Sequence, residues 1–243
     1  MSTLKATTIE PATGTNVTLG TTGDTVALPG NTLVLDTWKD SGGNTLFTSN
    51  GSGVVSSVNS ALTGAGPVLI QSQTASGDAS ISFTSGIDST YDRYMFVFAN
   101  INPATNGQDF TFQGSTDGGS NYNLTMTTTT FRAYNQESSS SPALTYAANQ
   151  DQAQGTSYQA IGHYLGNGAD LSASGVLHLF SPSSTTYIKH FYSRASVADG
   201  SATTTLNDWY SGGYFNTTSA INAISFKMAS GNFDGTLKLY GVK

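Results

Sequence analysis

The stretch DRYMFVFANI, residues 92–101, decides the fold of this chain. Its aromatic residues Tyr94, Phe96 and Phe98 alternate with a second set of apolar residues. Alternation with a period of two indicates a β-strand. Because both sets are apolar, both faces of the strand must be covered, and the stretch predicts a strand at the centre of a sheet.

Similar stretches occur on both sides of this strand, from Pro67 to the C-terminus. Turn residues, mainly Gly, Asp, Asn, Ser and Pro, separate them. About ten strands at spacings of about 8 to 15 residues predict an antiparallel β-sandwich or jelly roll over residues 67–243. The other stretches are PVLIQSQTAS, ASISFTSG, QDFTFQGS, NLTMTTTTFRAYN, GVLHLFSP, TTYIKHFYSRA, GGYFNTT, AINAISFKMAS and GTLKLYGV.

Only two stretches are helical candidates, SSVNSAL at 56–62 and AANQDQAQGTSYQAI at 147–161. Neither has convincing capping residues or a helical period of apolar residues. We therefore predict an all-β chain.

An N-terminal segment, residues 1–36, is rich in Thr and Gly and carries apolar residues in alternating pairs. The pairs predict three very short strands, each with one apolar side. The segment is too small to bury these side chains within one chain, so they must pack against something else. The pairs are Val17 and Leu19, Val26 and Leu28, and Leu33 and Leu35. Residues 37–66, where Gly and Ser dominate and Trp38 is the first apolar residue, predict a connector.

The amino-acid composition argues against several classes of partner and chemistry. Only 10% of the 243 residues are charged, and Thr, Ser, Asn and Gly fill the polar positions, as is typical of β-rich extracellular or particle-bound proteins. A net charge of −6 with nine basic residues argues against nucleic acid and an anionic membrane surface as partners. The sequence contains no run of about 18 apolar residues, so it predicts no membrane-spanning segment. The absence of cysteine excludes disulfides and thiolate chemistry. The first residues, MSTLKATTIEP, lack the apolar core of a secretory signal, so we expect assembly in the cytoplasm followed by release by lysis.

Catalytic and metal-binding patterns are missing from the sequence. The histidines His163, His178 and His190 have no Cys partner and no spacing typical of metal ligands, and the last two fall in predicted strands. Nearly all Asp residues sit beside Gly, Ser or Asn, where Asp forms turns. No nucleophile elbow in a strand–helix context and no phosphate-binding loop occurs. We therefore expect no catalytic residue, no metal site and no cofactor.

Two oxygen-rich stretches are candidates for a hard cation such as Ca²⁺, STDGGSNYN at 115–123 and ADGSATTTLND at 198–208. Both lack the alternating acidic residues of a dedicated calcium loop. A plain turn is the alternative interpretation of each stretch.

Aromatic residues beside Asn, Asp and Gly are the remaining functional signal, above all in LNDWYSGGYFN at 206–216. Rings can stack on a ligand while amides and carboxylates form hydrogen bonds, which is how carbohydrate and protein surfaces are often bound. The alternative is that these rings cap the ends of the sandwich. The candidate receptor-facing residues are Asn207, Asp208, Trp209, Tyr210 and Tyr214.

The chain resembles structural proteins of tailed bacteriophages, especially marine and cyanobacterial ones. Proteins of that group join a short repeated Thr/Gly segment at the N-terminus to a β-domain at the C-terminus. The resemblance extends over most of the chain and carries no active-site residues. It rests on TTIEPATGTNVTLG, NTLVLDTWKDSGGNTLFTSNGSG, GIDSTYDRYMFVFANINPATNGQDFTFQ, LHLFSPSSTTYIKHFYS and FKMASGNFDGTLKLYGVK.

The resemblance implies a virion protein. Phage fibres and many capsid decorations are homotrimers, and three copies of the N-terminal segment could bury one another's apolar pairs. Residues 1 to about 65 would then attach to the particle, and the β-domain would project outward. The expected oligomerisation or attachment residues are Val17, Leu19, Val26, Leu28, Leu33, Leu35 and Trp38.

Three functions follow as alternatives. A fibre would bind a host-surface glycan through distal loops, with LNDWYSGGYFN and NQESSSSPALTY as the candidates. A capsid decoration or cement protein would stabilise the head. A polysaccharide depolymerase would need paired carboxylates in a groove. The expected partners are further copies of the chain, other virion proteins and, for a fibre, the glycan.

Overall fold

The computed structural model describes residues 37–40, 42–49, 52, 55–58, 66–138, 141–201 and 204–243. The chain divides into two compact units, Met1–Gly64 and Ala65–Lys243. Six of the expected attachment residues lie outside the described residues, so the trimerising segment stays a prediction. These are Val17, Leu19, Val26, Leu28, Leu33 and Leu35.

The described part of the first unit is a small antiparallel sheet of three strands, ordered β1-β2-β3. Trp38 of β1 faces Phe47 of β2 across the ladder, and their rings stack with centroids 5.6 Å apart. The carboxylate of Asp40 accepts hydrogen bonds from the backbone N–H groups of Gly42 and Asn44, at 2.9 and 2.8 Å, and so fixes the turn. The Gly/Ser-rich stretch therefore contains regular structure as well as a connection. The strands are β1 Thr37–Lys39, β2 Thr45–Ser49 and β3 Val55–Val58.

The second unit contains two antiparallel sheets. The strands of this unit are β4 Val68–Asp78, β5 Ile81–Phe83, β6 Arg93–Pro103, β7 Gln108–Ser115, β8 Met126–Gln136, β9 Ala143–Tyr146, β10 Ala153–Gly155, β11 Gln159–Leu165, β12 Ala173–Phe180, β13 Lys189–Ala198, β14 Thr205–Phe215, β15 Ala223–Met228 and β16 Phe233–Val242. The large sheet has nine strands in the order β10-β8-β14-β13-β12-β6-β16-β4, with β9 paired to β8. The small sheet has four strands in the order β11-β7-β15-β5.

The strand that opened the sequence analysis is β6, which lies inside the large sheet between β12 and β16. Tyr94, Phe96 and Phe98 point into the core and are buried, whereas the residues of opposite phase are half-buried on the other face. The prediction of a central strand is confirmed, but the expectation that both of its faces are covered is not, because the small sheet packs on one face only.

The core lies between the two sheets and is largely aromatic. Phe96 of the large sheet meets Phe83 of the small sheet with ring centroids 5.5 Å apart. Similar edge-to-face pairs join the sheets along their length, at 5.3 Å for Phe98 with Phe110 and 4.9 Å for Phe112 with Phe191. Burying each such side chain contributes about 1.5–3 kcal/mol to the free energy of unfolding, so these pairs stabilise the packing of one sheet on the other.

The two rejected helical candidates contain no α-helix among the described residues, in agreement with the predicted all-β class. Residues 56–58 of SSVNSAL lie in β3, and 147–161 contain a single 3₁₀ turn, Ala148–Gln150, followed by β10 and β11. The strands of these stretches pair with β2, β7 and β8. One detail differs from a jelly roll, because the division into nine and four strands departs from the two equal sheets of an eight-stranded one.

In the part of the chain that the structure describes, no helix is long and apolar enough to cross a membrane.

Candidate functional site

Strand β14 carries all five candidate receptor-facing residues, and its alternation divides them between the two faces of the large sheet. Asp208, Tyr210 and Tyr214 are half-buried on the face that the small sheet leaves uncovered. Asn207 and Trp209 point the other way and are only 0% and 1% exposed. The prediction that these two face a receptor is wrong, because LNDWYSGGYFN is a paired strand between β13 and β8 rather than a loop.

The uncovered face of the large sheet, called here the outer face, is a lattice of cross-strand neighbours. Rings and apolar side chains occupy most of its central positions. One row is Phe131, Tyr210, Arg194, Val176, Val97 and Lys238, and the next is Thr129, Gly212, Tyr192, His178, Met95 and Tyr240.

The first row is held together by stacking and by one ion pair. The rings of Phe131 and Tyr210 are parallel within 7°, with centroids 4.8 Å apart. Arg194 lies over Tyr210 and forms two hydrogen bonds to the carboxylate of Asp208, at 3.0 and 2.7 Å. The hydrogen bonds from Arg194 lower the pKa of Asp208, although burial opposes the shift. The Asp208 carboxylate therefore already forms an ion pair within the sheet, with Arg194 as its partner.

The second row is interrupted at Gly212. A side chain added there would meet no atom within 4 Å, so the missing side chain leaves a notch in the outer face. Tyr192 lies opposite Gly212 on β13, and Tyr210 and Tyr214 lie on either side of it along β14. The groove that contains the notch has a volume of about 350 Å³, which is within the range for small-ligand sites, about 300–1,000 Å³.

The walls of the notch combine rings with hydroxyl groups. His190 pairs with Tyr214 across the ladder, and their rings meet at 62° with centroids 5.9 Å apart. Tyr192, opposite Gly212, is 46% exposed, and its ring packs against His178 and Phe180 at the side of the groove. Thr127 and Thr129 line the groove on the side of β8, where the Thr127 hydroxyl accepts a hydrogen bond from Gln154 at 2.7 Å and the Thr129 hydroxyl donates one to Tyr146 at 3.3 Å. Such a set can stack on the apolar face of a sugar ring and hydrogen-bond to its hydroxyls.

The aromatic surface beside the notch carries little charge. Burial, and after it the positive charge of Arg93, lowers the pKa of His178. The imidazole is therefore neutral near pH 7, and it packs against Tyr192 with centroids 4.7 Å apart. This part of the outer face suits a neutral or weakly polar ligand surface.

The two candidate cation loops use their carboxylates internally. Asp117 accepts hydrogen bonds from the Ser115 hydroxyl at 2.6 Å and from the side chain and backbone of Asn121 at 2.7 and 2.9 Å. Asp199 similarly accepts from the backbone N–H of Thr205 and from the Asn207 amide, at 2.9 and 3.2 Å. Among the described residues, no group of three His, Cys, Asp or Glu side chains could hold a metal ion. This geometry favours the plain-turn interpretation.

The remaining predicted features are dispersed. Trp38 lies in the first unit and is 41% exposed. Leu144 and Tyr146, in the described part of NQESSSSPALTY, are 73% and 63% exposed on β9. His178 and His190 lie in strands β12 and β13, as predicted.

No family model, no curated protein and no solved structure matches this chain.

Sequence reasoning missed the residues that give the notch its shape, namely Gly212, Tyr192 and His190. Tyr192 and His190 alternate with buried residues in TTYIKHFYSRA, which is a detectable signal for one solvent-facing side of a strand. The meeting of this side with LNDWYSGGYFN depends on the register between β13 and β14, which no local pattern encodes.

Proposed function

We propose that this chain is a non-enzymatic structural protein of a tailed-bacteriophage virion, with a fibre-like role. In this proposal the N-terminal segment forms a homotrimer and attaches to the particle. The β-sandwich projects outward and binds a host-surface glycan at the Gly212 notch. The observation that carries the binding role is the open notch between Tyr192, Tyr210 and Tyr214.

The sequence adds support for the virion part of this proposal. Low charge, abundant Thr, Gly and Asn, and short N-terminal strand pairs are the features on which the resemblance to phage structural proteins rests. The outer face also exposes large aromatic side chains, Phe131 at 42% and Tyr192 at 46%, and apolar side chains grouped on a surface mark interaction sites.

A matched pair of substitutions at one position tests the glycan site. Gly212→Trp fills the notch with an indole ring, whereas Gly212→Ala leaves most of it open. On an array of bacterial surface polysaccharides, the wild type and Gly212→Ala are expected to bind the same glycans, and Gly212→Trp is expected to lose them. If Gly212→Trp keeps its fold and binds as the wild type does, the notch is not the glycan site.

A capsid decoration or cement role is the second candidate, and one observation favours it. Val97, Met95 and Val176 form a half-buried apolar strip in the middle of the outer face, which a flat protein partner would cover better than a sugar. Copy number separates the two roles. A few to a few dozen copies per particle supports a fibre, and hundreds support a decoration protein.

A depolymerase role is tested through Asp208, the acidic residue of the outer face that LNDWYSGGYFN contributes. Its ion pair with Arg194 keeps it ionised, which does not suit a general acid. We expect no polysaccharide cleavage by the wild type, and therefore no change on Asp208→Asn. Cleavage that disappears in Asp208→Asn would contradict the non-enzymatic proposal.

A further inference from the structure

A second cavity opens on the opposite side of β14, at the edge of the sandwich. It has a volume of about 300 Å³ and is called here the Arg132 cleft. It lies between the inner face of the large sheet and the segment that joins β9 to β11. Its walls are Arg132, Thr145, Tyr146, Ala147, Asn149, His163 and Trp209.

Arg132 has no anionic partner among the described residues. Its guanidinium donates one hydrogen bond, from Nη1 to the side-chain oxygen of Asn207 at 2.8 Å, and lies 4.9 Å from the ring centre of Tyr134. No carboxylate of the described residues lies within 4.0 Å of it, whereas Arg194 on the outer face is paired with Asp208. The remaining N–H donors of Arg132 are available to a ligand.

The position of Arg132 is fixed by a buried network rather than by chance contact. Asn207 is fully buried, and its amide nitrogen donates to the carboxylate of Asp199 at 3.2 Å. That bond orients the Asn207 oxygen toward Arg132. Such pre-organisation lowers the entropy lost when a ligand binds.

Two carboxylates that bond to residues of the cleft wall are already engaged. Asp109 accepts a hydrogen bond from His163 Nδ1 at 2.8 Å and another from the backbone N–H of Tyr164 at 2.9 Å. Asp151 accepts a hydrogen bond from the hydroxyl of Tyr146. Each of these bonds occupies an oxygen of its carboxylate, and neither carboxylate lies within 4.0 Å of Arg132.

The other walls suit a sugar. Thr145 pairs with Arg132 across the ladder and supplies a hydroxyl group to the wall of the cleft. The side chain of Asn149 is exposed and forms no hydrogen bond with the described residues, so its donors and acceptor are free for hydroxyl groups. His163 is held against Trp209, with ring centroids 5.1 Å apart, and forms a rigid floor. The volume is at the lower end of small-ligand sites and fits a single sugar unit.

We propose that the Arg132 cleft binds a carboxylated monosaccharide unit, such as a uronic or sialic acid, through bidentate pairing of its carboxylate with Arg132. Arg is the residue best shaped for two parallel hydrogen bonds to a carboxylate. This site is independent of the Gly212 notch, which lies on the other face of the sheet.

NMR titration of the full chain with D-glucuronate and N-acetylneuraminate tests the proposal, with the indole N–H of Trp209 as the reporter. At least one acidic sugar is expected to give saturable shifts with a dissociation constant on the order of 1 mM. D-glucose and acetate are each expected to bind at least about tenfold more weakly, because each offers only part of the ligand. Equal binding of glucose, or no saturable shift with either acidic sugar, would overturn the proposal, and tighter binding of a glutamate dipeptide would overturn the assignment to a sugar.

Variants separate the role of Arg132 from general effects. Arg132→Gln is expected to lower the affinity for the acidic sugar to about a tenth of the wild-type affinity or less. Arg132→Lys keeps the charge but not the planar guanidinium, so its affinity should lie between those of the wild type and Arg132→Gln. Lys243→Gln removes the same charge from an exposed site elsewhere and should bind as the wild type does. A folded Arg132→Gln protein with wild-type affinity would refute the site. Gly212→Trp should leave this binding unchanged, so failure here and failure of the glycan proposal are distinguishable.

Discussion

Trp209 and Tyr192 are both large aromatic residues of the large sheet, but they should contribute very differently to stability. Trp209 is 1% exposed and packs in the core, whereas Tyr192 is 46% exposed on the outer face. Trp209→Ala should lower the free energy of unfolding by about 3–5 kcal/mol, through lost burial and a cavity. Tyr192→Ala should cost about 1 kcal/mol or less. Urea denaturation of both variants measures the difference, and similar losses would contradict the burial assignment.

Asp117 should titrate well below a free aspartate. Hydrogen bonds from the Ser115 hydroxyl and from Asn121 lower its pKa from 3.8 to about 2. Because the folded pKa is the lower one, the stabilising bonds are complete above pH 3.8 and are lost as the pH falls through about 2. Carboxyl NMR titration should give a midpoint near 2 for the wild type. Removing one partner in Asn121→Ala should move it toward 3.8, and an unchanged midpoint would contradict the role of Asn121.

Gly175 and Gly212, both in the large sheet, offer a matched test of how closely neighbouring strands pack. In Gly175→Ala, the new Cβ on β12 would press on the carbonyl oxygen of Arg194 and lie 2.8 Å from the Cα of Ala195 on β13. That overlap should force the strands apart and destabilise the protein by about 1–3 kcal/mol. Gly212→Ala on β14 meets no atom within 4 Å and should change stability by about 0.5 kcal/mol or less. Thermal and urea unfolding would distinguish them, and equal effects would contradict the packing of β12 on β13.

Strand β6 was predictable because its two apolar phases are uninterrupted, and so was the all-β class. Strand β8 shows where such reasoning fails. Met126 points into the core, whereas Phe131 has the opposite phase and is exposed on the outer face, so its ring does not belong to the core. Both faces of this strand carry apolar residues, and only the neighbours supplied by β14 determine which face is buried. The notch and the Arg132 cleft escaped prediction for the same reason, because both are made by register between distant strands.

The sandwich as a whole should lose stability in acid. Burial raises the pKa of Asp109, but the hydrogen bond and charge of His163 outweigh it and lower the pKa overall. Asp199 and Asp208 are also lowered, by the donors of their own loop and by Arg194. Since these folded pKa values lie below the unfolded ones, the stabilisation from these three carboxylates should be complete above about pH 5 and be lost as the pH falls toward 2. Urea unfolding at several pH values measures this loss, and Asp109→Asn should make it smaller. A protein equally stable across this window would contradict these shifts.

The assembled protein should be a trimer if the N-terminal pairs bury one another. Light scattering of the full chain should then give three times the chain mass of 25.3 kDa. Replacing Leu33 and Leu35 by Asp should reduce the mass to that of one chain, because charged side chains cannot be buried together without partners. A monomeric wild type whose residues 17–35 nevertheless resist protease would contradict self-association.

The placement of the two tryptophans gives each compact unit its own optical probe. Trp38 belongs to the first unit and is 41% exposed, so its fluorescence should resemble that of an indole partly in water. Trp209 belongs to the second unit, is 1% exposed and packs against His163, so it should emit at shorter wavelength. With Trp38→Phe and Trp209→Phe, emission spectra can follow the melting of each unit separately without an attached dye. The indole of Trp209, which lines the Arg132 cleft, would also report ligand entry as a change in fluorescence intensity.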